Sequence, residues 1–333
     1  VAAGTACAVA IVTRRWLAPD AASDMIEPVC PVYRLDRSAD LVNDLARIID
    51  ARAVTTLVVG GVSPILSCLP LLRARFPDLR IVSFQFNEFA GIGKAAMAKA
   101  EIDLFIAETR LAAGGLRAAG VPTDKIRIIP SGVNVATIAQ RPRLPVSRPR
   151  VAFVGRFDRT KNPQGFVRMV HRLGVREADF LMIGTGRYAL RARLLALRLG
   201  LLFRIHMIGL RSGEALEMLM DSIDILVVPS LRDGRPLVIQ EARARGIAIV
   251  AHSVGGIADL IEHRVSGLLC DPADADALPQ AVSELLDNPG LRTSLGREAR
   301  IRAFADGELA SRLPAYCAAI FGPRGSAPFI DGA

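Results

Sequence analysis

Lysine, cysteine and aromatic residues are all scarce in this 333-residue chain, and each scarcity narrows what it can do. Only four of its 42 basic residues are lysine, and aromatics make up 5%. The net charge of +9 is diffuse: residues 1–140 carry 15 basic and 13 acidic groups, residues 141–150 carry four arginines, and the remainder carries 23 against 20. A nucleic-acid footprint needs basic residues massed on one element, usually with aromatics or a reading module, and neither is present. The excess reads instead as the arginine bias of a GC-rich coding sequence. Five cysteines, at 7, 30, 68, 270 and 317, form no CxxC or metal-knuckle spacing, which fits a reduced, cytoplasmic setting. No uninterrupted apolar run reaches the roughly 18–20 residues that a membrane-spanning helix requires, so the mean hydropathy of +0.33 reflects Ala, Leu, Val and Ile in buried elements. The opening VAAGTACAVAIVT is strand-like and lacks the charged flank and cleavage pattern of a signal peptide. It starts at Val rather than Met, and an N-terminally incomplete or processed chain is expected.

What the chain does have is alternation. Short β-branched apolar runs alternate with amphipathic helical segments, the mark of parallel α/β layers. In the first half the strands read AVAIVT, TTLVVGG, RIVSFQF and DLFIAE, with helical stretches such as SADLVNDLARIIDA and PILSCLPLLRARF between them. Residues 141–150, within QRPRLPVSRPR, hold prolines without apolar periodicity and read as an extended linker. From Val151 the strands are RVAFVG, DFLMIG, RIHMIG, DILVVPS, IAIVAHS and SGLLCD, with helices starting near Pro163, Arg187, Ser212, Pro236, Gly256 and Asp276. The expected organisation is an N-terminal Rossmann-like domain over 1–140 that lacks its first strand, a linker over 141–150, a C-terminal domain over 151–322 and a tail over 323–333. Pro314 should kink or break the last helix.

Ligands of a doubly wound sheet bind beyond the carboxyl ends of its strands, so the loops there carry the chemistry. After RVAFVG, Gly155 permits close backbone approach, and Arg156 and Lys161 put two cations on one loop, which suits a diphosphate. The GTGRYA turn matches the dinucleotide fingerprint superficially through Gly184, Gly186 and Ala189. It lacks the acidic ribose reader about 20 residues on, and so reads as a glycine-lined turn against a nucleotide. In SLRDGRPLVIQEARARG, Pro236 is placed to open a helix whose N-terminus, with Gly234, Arg235 and Leu237, would favour an anion. Asp233 precedes that turn and Glu241 follows eight residues later. Taken alone, Asp233 reads as well as a helix cap and Glu241 as an exposed helical charge.

Residues 151 to about 305 resemble the C-terminal domain of the family 4 retaining glycosyltransferases, the "glycosyl transferases group 1" set. The matching pieces stand in the family's order: VGRFDRTK, MIGTG, HMIGL, DILVVPS, DGRPLVIQEARARG, IVAHSVGGIADLI and GLLCDPAD. In the N-terminal half, IDLFIAETRLAAGGLRAAGVPTDKIRIIPSGVN is similar to the end of the family's acceptor domain. The resemblance implies an α/β chain of the GT-B fold, with two Rossmann-like doubly wound parallel-sheet domains and the donor site in the C-terminal one. It implies a retaining transfer from a nucleotide-diphosphate sugar to a glycan, lipid or small-molecule acceptor, with no metal and no cofactor beyond the donor itself. Arg156 and Lys161 would hold the diphosphate. Asp233, at the first acidic position of the family's E-x7-E motif, would contact donor-sugar hydroxyls, and Glu241, at the second, the ribose diol. Gly155 and the backbone of Gly234, Arg235, Pro236 and Leu237 would face the phosphates, and Thr185 and Leu210 lie near the base.

Two departures from the family pattern stand out. Asp233 replaces the usual Glu, shortening that side chain by one C–C bond of about 1.5 Å. The four histidines, at 171, 206, 252 and 263, all lie in the C-terminal half, whereas many members use an N-terminal His at the reacting centre. On the acceptor side the loop QFNEFAG offers only Asn87 and Glu88. Asp274 and Asp276 form a DxD that reads as helix capping rather than a metal site. The basic amphipathic helix RYALRARLLALRLG reads as an ordinary covering helix, so peripheral contact with the inner membrane face has no support from it. The competing readings are a non-catalytic or truncated sugar-nucleotide-binding module and a GT-B-like sugar-nucleotide epimerase.

Overall fold

Every strand predicted above forms, and the pairing is parallel throughout the described residues. The computed structural model describes residues 9–13, 32–36, 40–60, 64–86 and 92–322. Two compact units divide the chain: residues 1–129 with 313–333, and residues 130–312.

In the first unit, β1 (Val9–Thr13) and β2 (Val32–Asp36) form a two-stranded sheet. β3 (Thr56–Gly60), β4 (Arg80–Gln85), β5 (Leu104–Ala107) and β6 (Ile126–Ile128) form a four-stranded sheet in that order. The sequence pattern does not reveal β2, whose five residues include Arg34 and Asp36, or β6, which has only three residues. Leu45 and Ile49 of α1 (Leu41–Ala51), Leu69 and Leu72 of α2 (Leu69–Arg75), and Ala112 and Leu116 of α4 (Arg110–Ala118) pack with Ile81 and Phe105 in one core. α3 spans Ile92–Met97.

The second unit begins at Pro130 and opens with α5 (Val135–Ala139), capped by the Asn134 side chain. Its sheet runs β12-β11-β10-β7-β8-β9, where β7 is Arg150–Val154, β8 Asp179–Ile183, β9 Ile205–Gly209, β10 Ile225–Val228, β11 Ala248–His252 and β12 Leu268–Cys270. Counted from β7 as the first strand, this is the dinucleotide-fold order 3-2-1-4-5-6, which reverses between β7 and β10. Successive strand residues face opposite ways, and both faces are buried. Phe153, Met182, Val227 and Val250 pack on one side, and Ala152, Leu181, Leu226 and Ile249 on the other. The first face is covered by α6 (Pro163–Leu173) and α10 (Ala277–Asp287), and the second by α8 (Gly213–Asp221) and α9 (Leu237–Arg245). α7 (Ala189–Arg198) lies between β8 and β9, and α11 spans Pro289–Asp306.

Residues 141–150 fall within the compact unit of residues 130–312. The cause is a set of polar ties that proline-rich composition does not reveal. Arg141 donates to Asp221 (2.7 Å) and Glu214 (2.7 Å), the Leu144 amide to the Asp221 carbonyl (3.0 Å), and the Arg150 amide to Asp224 (2.9 Å). Near Gly256 there is only a single 3₁₀ turn, Gly255–Ile257. Pro314 does not break the last helix: α12 runs unbroken over Leu309–Phe321. Pro314 is the sixth residue of the helix, past its first turn, and the loss of its one N–H hydrogen bond does not end the helix. The division between the compact units falls inside α12, after Arg312. Ala319 packs with Val82 and Ile106 of the first unit, and the Tyr316 hydroxyl donates to the Ile129 carbonyl (3.0 Å).

Candidate functional site

The carboxyl ends of β7 to β11 are stitched together by backbone hydrogen bonds. The Gly155 amide donates to Ile183, Phe157 to Thr185 (2.8 Å), and Gly184 to Gly209 (2.9 Å), joining the loops after β7, β8 and β9. Leu231 donates to Thr160 (2.8 Å) and Gly256 to the Asp233 carbonyl (3.1 Å), joining the loops after β7, β10 and β11. Gly184 and Gly186 have φ of +136° and +152°, and a Cβ on Gly184 would lie 1.9 Å from the Gly155 carbonyl oxygen. Only glycine fits there. Thr185 and Leu210 are exposed on this rim.

Across the switch point, the loop after β7 meets the loop after β10 through one ion pair. Lys161 Nζ lies 2.5 Å from Asp233 Oδ2, which also accepts from the Ser230 hydroxyl at 3.1 Å. The Asp233 side chain is nine-tenths buried and that of Lys161 is mostly so. Asp233 is therefore not the helix cap that its sequence position allows. The cap residue of α9 is Pro236, which stands before the first helical residue and offers no side-chain hydrogen bond. The first-turn N–H groups of α9 are left uncapped, and such groups favour an anion. Arg235 is turned to the backbone, its Nε donating to the Ser131 carbonyl at 2.9 Å.

Asp158 organises the cation loop. Its carboxylate accepts from the Lys161 amide (2.9 Å) and the Thr160 hydroxyl (2.7 Å), and pairs with Arg156 at 3.2 Å. Burial alone would raise its pKa, but these donors and the Arg156 charge outweigh burial and hold it below the ordinary carboxylate value. Arg156 itself is 78% exposed, reaching outward from this anchor. Asn162, in the left-handed region at φ 54°, caps α6 through Gly165 and donates to the Pro229 carbonyl (3.1 Å), tying the loop to β10 a second time. Beneath the pair, the buried His252 donates from Nδ1 to the Ser230 carbonyl at 3.1 Å, and burial lowers its pKa. Sequence reasoning missed Asp158, Asn162, Ser230 and His252. Asp158, Ser230 and His252 lie inside motifs quoted above and Asn162 directly follows one, and each side chain bonds a neighbouring group of the protein.

Glu241 sits on α9, half-buried and not an exposed helical charge. Its carboxylate has no hydrogen-bond partner among the described residues, and burial raises its pKa, with Arg245 opposing and Glu217 reinforcing the shift. Asn87 and Glu88 lie outside the described residues. Asp274 and Asp276 are turn formers: Asp274 accepts from the Asp276 amide (2.9 Å) and Asp276 pairs with Arg172 (2.5 Å), while the cap of α10 has no side-chain hydrogen bond. Among the described residues no cluster of three or more His, Cys, Asp or Glu could hold a metal ion.

A doubly wound parallel sheet in the dinucleotide-fold order, with an ion pair joining two loops at its switch point, defines an α/β domain of the Rossmann-like class. Residues 134–302 match the family model for glycosyl transferases group 1, and the chain belongs to that family. It is 30% identical over 259 residues to a D-inositol 3-phosphate glycosyltransferase of Salinispora arenicola, covering 68% of this chain and 58% of that protein. An uncharacterized glycosyltransferase of Methanocaldococcus jannaschii is 26% identical over 192 residues, covering 54% and 49%. The chain thus spans about half the length of these curated relatives. The fold is that of Anabaena HepE, solved in complex with UDP: TM-score 0.78 at 17% identity, covering 93% of this chain and 90% of that one. The architecture is GT-B.

Proposed function

We propose that the chain transfers a sugar from a nucleoside-diphosphate sugar to an acceptor with retention of anomeric configuration, as the family 4 resemblance implies. The observation that carries the reading is the Lys161–Asp233 pair at the switch point, flanked by the α9 N-terminus and the unpartnered Glu241. Lys161 and the exposed end of Arg156 bind the diphosphate, with the first-turn amides of α9 as further donors. Glu241 accepts from the ribose diol. Asp233 holds Lys161 in place before the donor arrives and faces the sugar hydroxyls once Lys161 turns to the phosphates. Thr185 and Leu210 border the base.

In this scheme the leaving diphosphate, neutralised by Lys161 and Arg156, takes the acceptor's proton on the face it departs from. The C–O bond to the diphosphate breaks as the acceptor oxygen bonds to the same face of the anomeric carbon. Charge stabilisation does the work, and removing one preorganised donor of this kind costs about 10²–10³ in rate. UDP-sugars are the first donors to test, since UDP occupies HepE. The acceptor is a glycan, lipid-linked or small hydroxyl compound, and the location cytoplasmic.

Calorimetry with UDP, GDP and their sugar conjugates tests the site: a nucleoside diphosphate binds the wild type and binds Lys161→Ala at least tenfold more weakly. Equal affinity in the two proteins would overturn the assignment. Donor binding without transfer or hydrolysis, over a broad acceptor panel, would support a binding module in place of an enzyme.

A further inference from the structure

α7 leaves the Gly184–Thr185–Gly186 turn and touches the core through Ala192, Ala196 and the half-buried Leu195. Ala192 and Ala196 are buried, whereas Leu190, Leu194 and Leu197 are 67%, 55% and 57% exposed. These leucines stand at i, i+4 and i+7, so they share one face, and that face is turned to solvent. By helical periodicity Arg191 and Arg198 border the leucine stripe on one side and Arg193 on the other, all three exposed. Phe203, in the turn after the helix, is 93% exposed. From Phe180 to Gly213 the chain contains six arginines and no Asp or Glu. A covering helix turns its large apolar residues inward. This helix turns three of its four leucines outward and only Leu195 toward the core, contrary to the sequence expectation, and a contiguous apolar stripe with charged borders marks an interaction surface.

We propose that this face docks on an anionic membrane surface. Leu190, Leu194, Leu197 and Phe203 enter the boundary between headgroups and acyl chains, and the bordering arginines contact lipid phosphates. An interfacial helix of this kind lies in the plane of the bilayer, with apolar residues on one side and cations along the edges. At ten residues α7 is far too short to span. Charge complementarity selects the occupant: no acidic residue in the segment neutralises the arginines, and an anionic surface strengthens binding about fivefold per basic residue. A second copy of the chain docked on the same face would set these arginines against one another. The surface contains none of Lys161, Asp233 and Glu241, so it stands apart from the proposed donor site.

The test is co-sedimentation of the full chain with phosphatidylcholine vesicles, with and without phosphatidylglycerol. The wild type binds only the anionic vesicles, and added salt weakens the binding. The triple variant Leu190→Ser, Leu194→Ser, Leu197→Ser loses about 100-fold or more in partition, and Arg193→Gln with Arg198→Gln about 25-fold. Leu71→Ser, at a comparably exposed leucine of the first unit, binds like the wild type. Melting temperatures confirm that each variant is folded. The proposal is overturned if the wild type ignores anionic vesicles, if the triple serine variant binds them equally well, or if the wild type is a dimer that the triple variant dissociates.

Discussion

Asp233 serves two partners that compete. Its Oδ2 accepts from Lys161 and from Ser230, so in the free protein the carboxylate neutralises the cation that the proposed donor needs. Lys161→Ala should lower nucleotide affinity by about ten- to a hundredfold, the range for loss of a charge-assisted contact. Asp233→Asn keeps the shape but releases Lys161. Turnover should fall by about tenfold or more while calorimetric affinity for the diphosphate holds or rises. A parallel fall in both would show that Asp233 only positions the loop. Asp233→Ala should also lower stability by about 1–3 kcal/mol, because the mostly buried Lys161 ammonium is left without its partner. Chemical denaturation of the same protein measures that cost.

At the scale of elements, α9 carries opposed demands of stability and binding. Glu241 has a raised pKa from burial, so the folded protein binds its proton more tightly than the unfolded chain does. That contribution is fully present below the unfolded value near 4.5 and is lost as pH rises through the folded value. Above that window the ionised carboxylate is a net cost. Glu241→Gln should therefore melt higher than the wild type at neutral pH, the gain shrinking as pH falls toward 4.5, while nucleotide-sugar affinity drops by about tenfold or more. His252 has the opposite sign. Burial holds its pKa below 6.5, so its share of stability is present above that pH and is lost as pH falls through the folded value. A titration of melting temperature resolves both slopes. The glycine turn after β8 makes a further test. Gly184→Ala forces a Cβ into the Gly155 carbonyl at a positive φ, and should cost about 2 kcal/mol or more, loosening the rim it joins. Thermal melts of this variant with and without nucleotide would show both losses; an unchanged melt would mean that the turn can open freely.

For the molecule as a whole, the expectation with the widest reach is metal independence. In the proposed mechanism Lys161, Arg156 and the α9 amides neutralise the diphosphate, and the one DxD of the C-terminal half is tied up in turns and an arginine pair. Transfer should persist in excess EDTA. Activity abolished by chelation and restored by Mg²⁺ or Mn²⁺ would refute that mechanism while leaving the nucleotide site standing.

The amino-acid sequence alone determined the repeating strand–helix order, both sets of predicted strands and the loops worth inspecting, because hydrophobic period and glycine placement are local properties. It also placed Arg156, Lys161, Asp233 and Glu241 in motifs at fixed spacing. Only the tertiary structure decided how those motifs meet. Lys161 and Asp233 are 72 residues apart in sequence and become neighbours because β7 and β10 are adjacent where the strand order reverses. The same holds for residues 141–150, whose composition describes a linker but whose Arg141 reaches two carboxylates on α8. It holds again for α7, where periodicity marks an amphipathic helix without saying which face is buried. The small side chains of Ala192 and Ala196 settle that by allowing close approach to the core, which leaves Leu190, Leu194 and Leu197 outside.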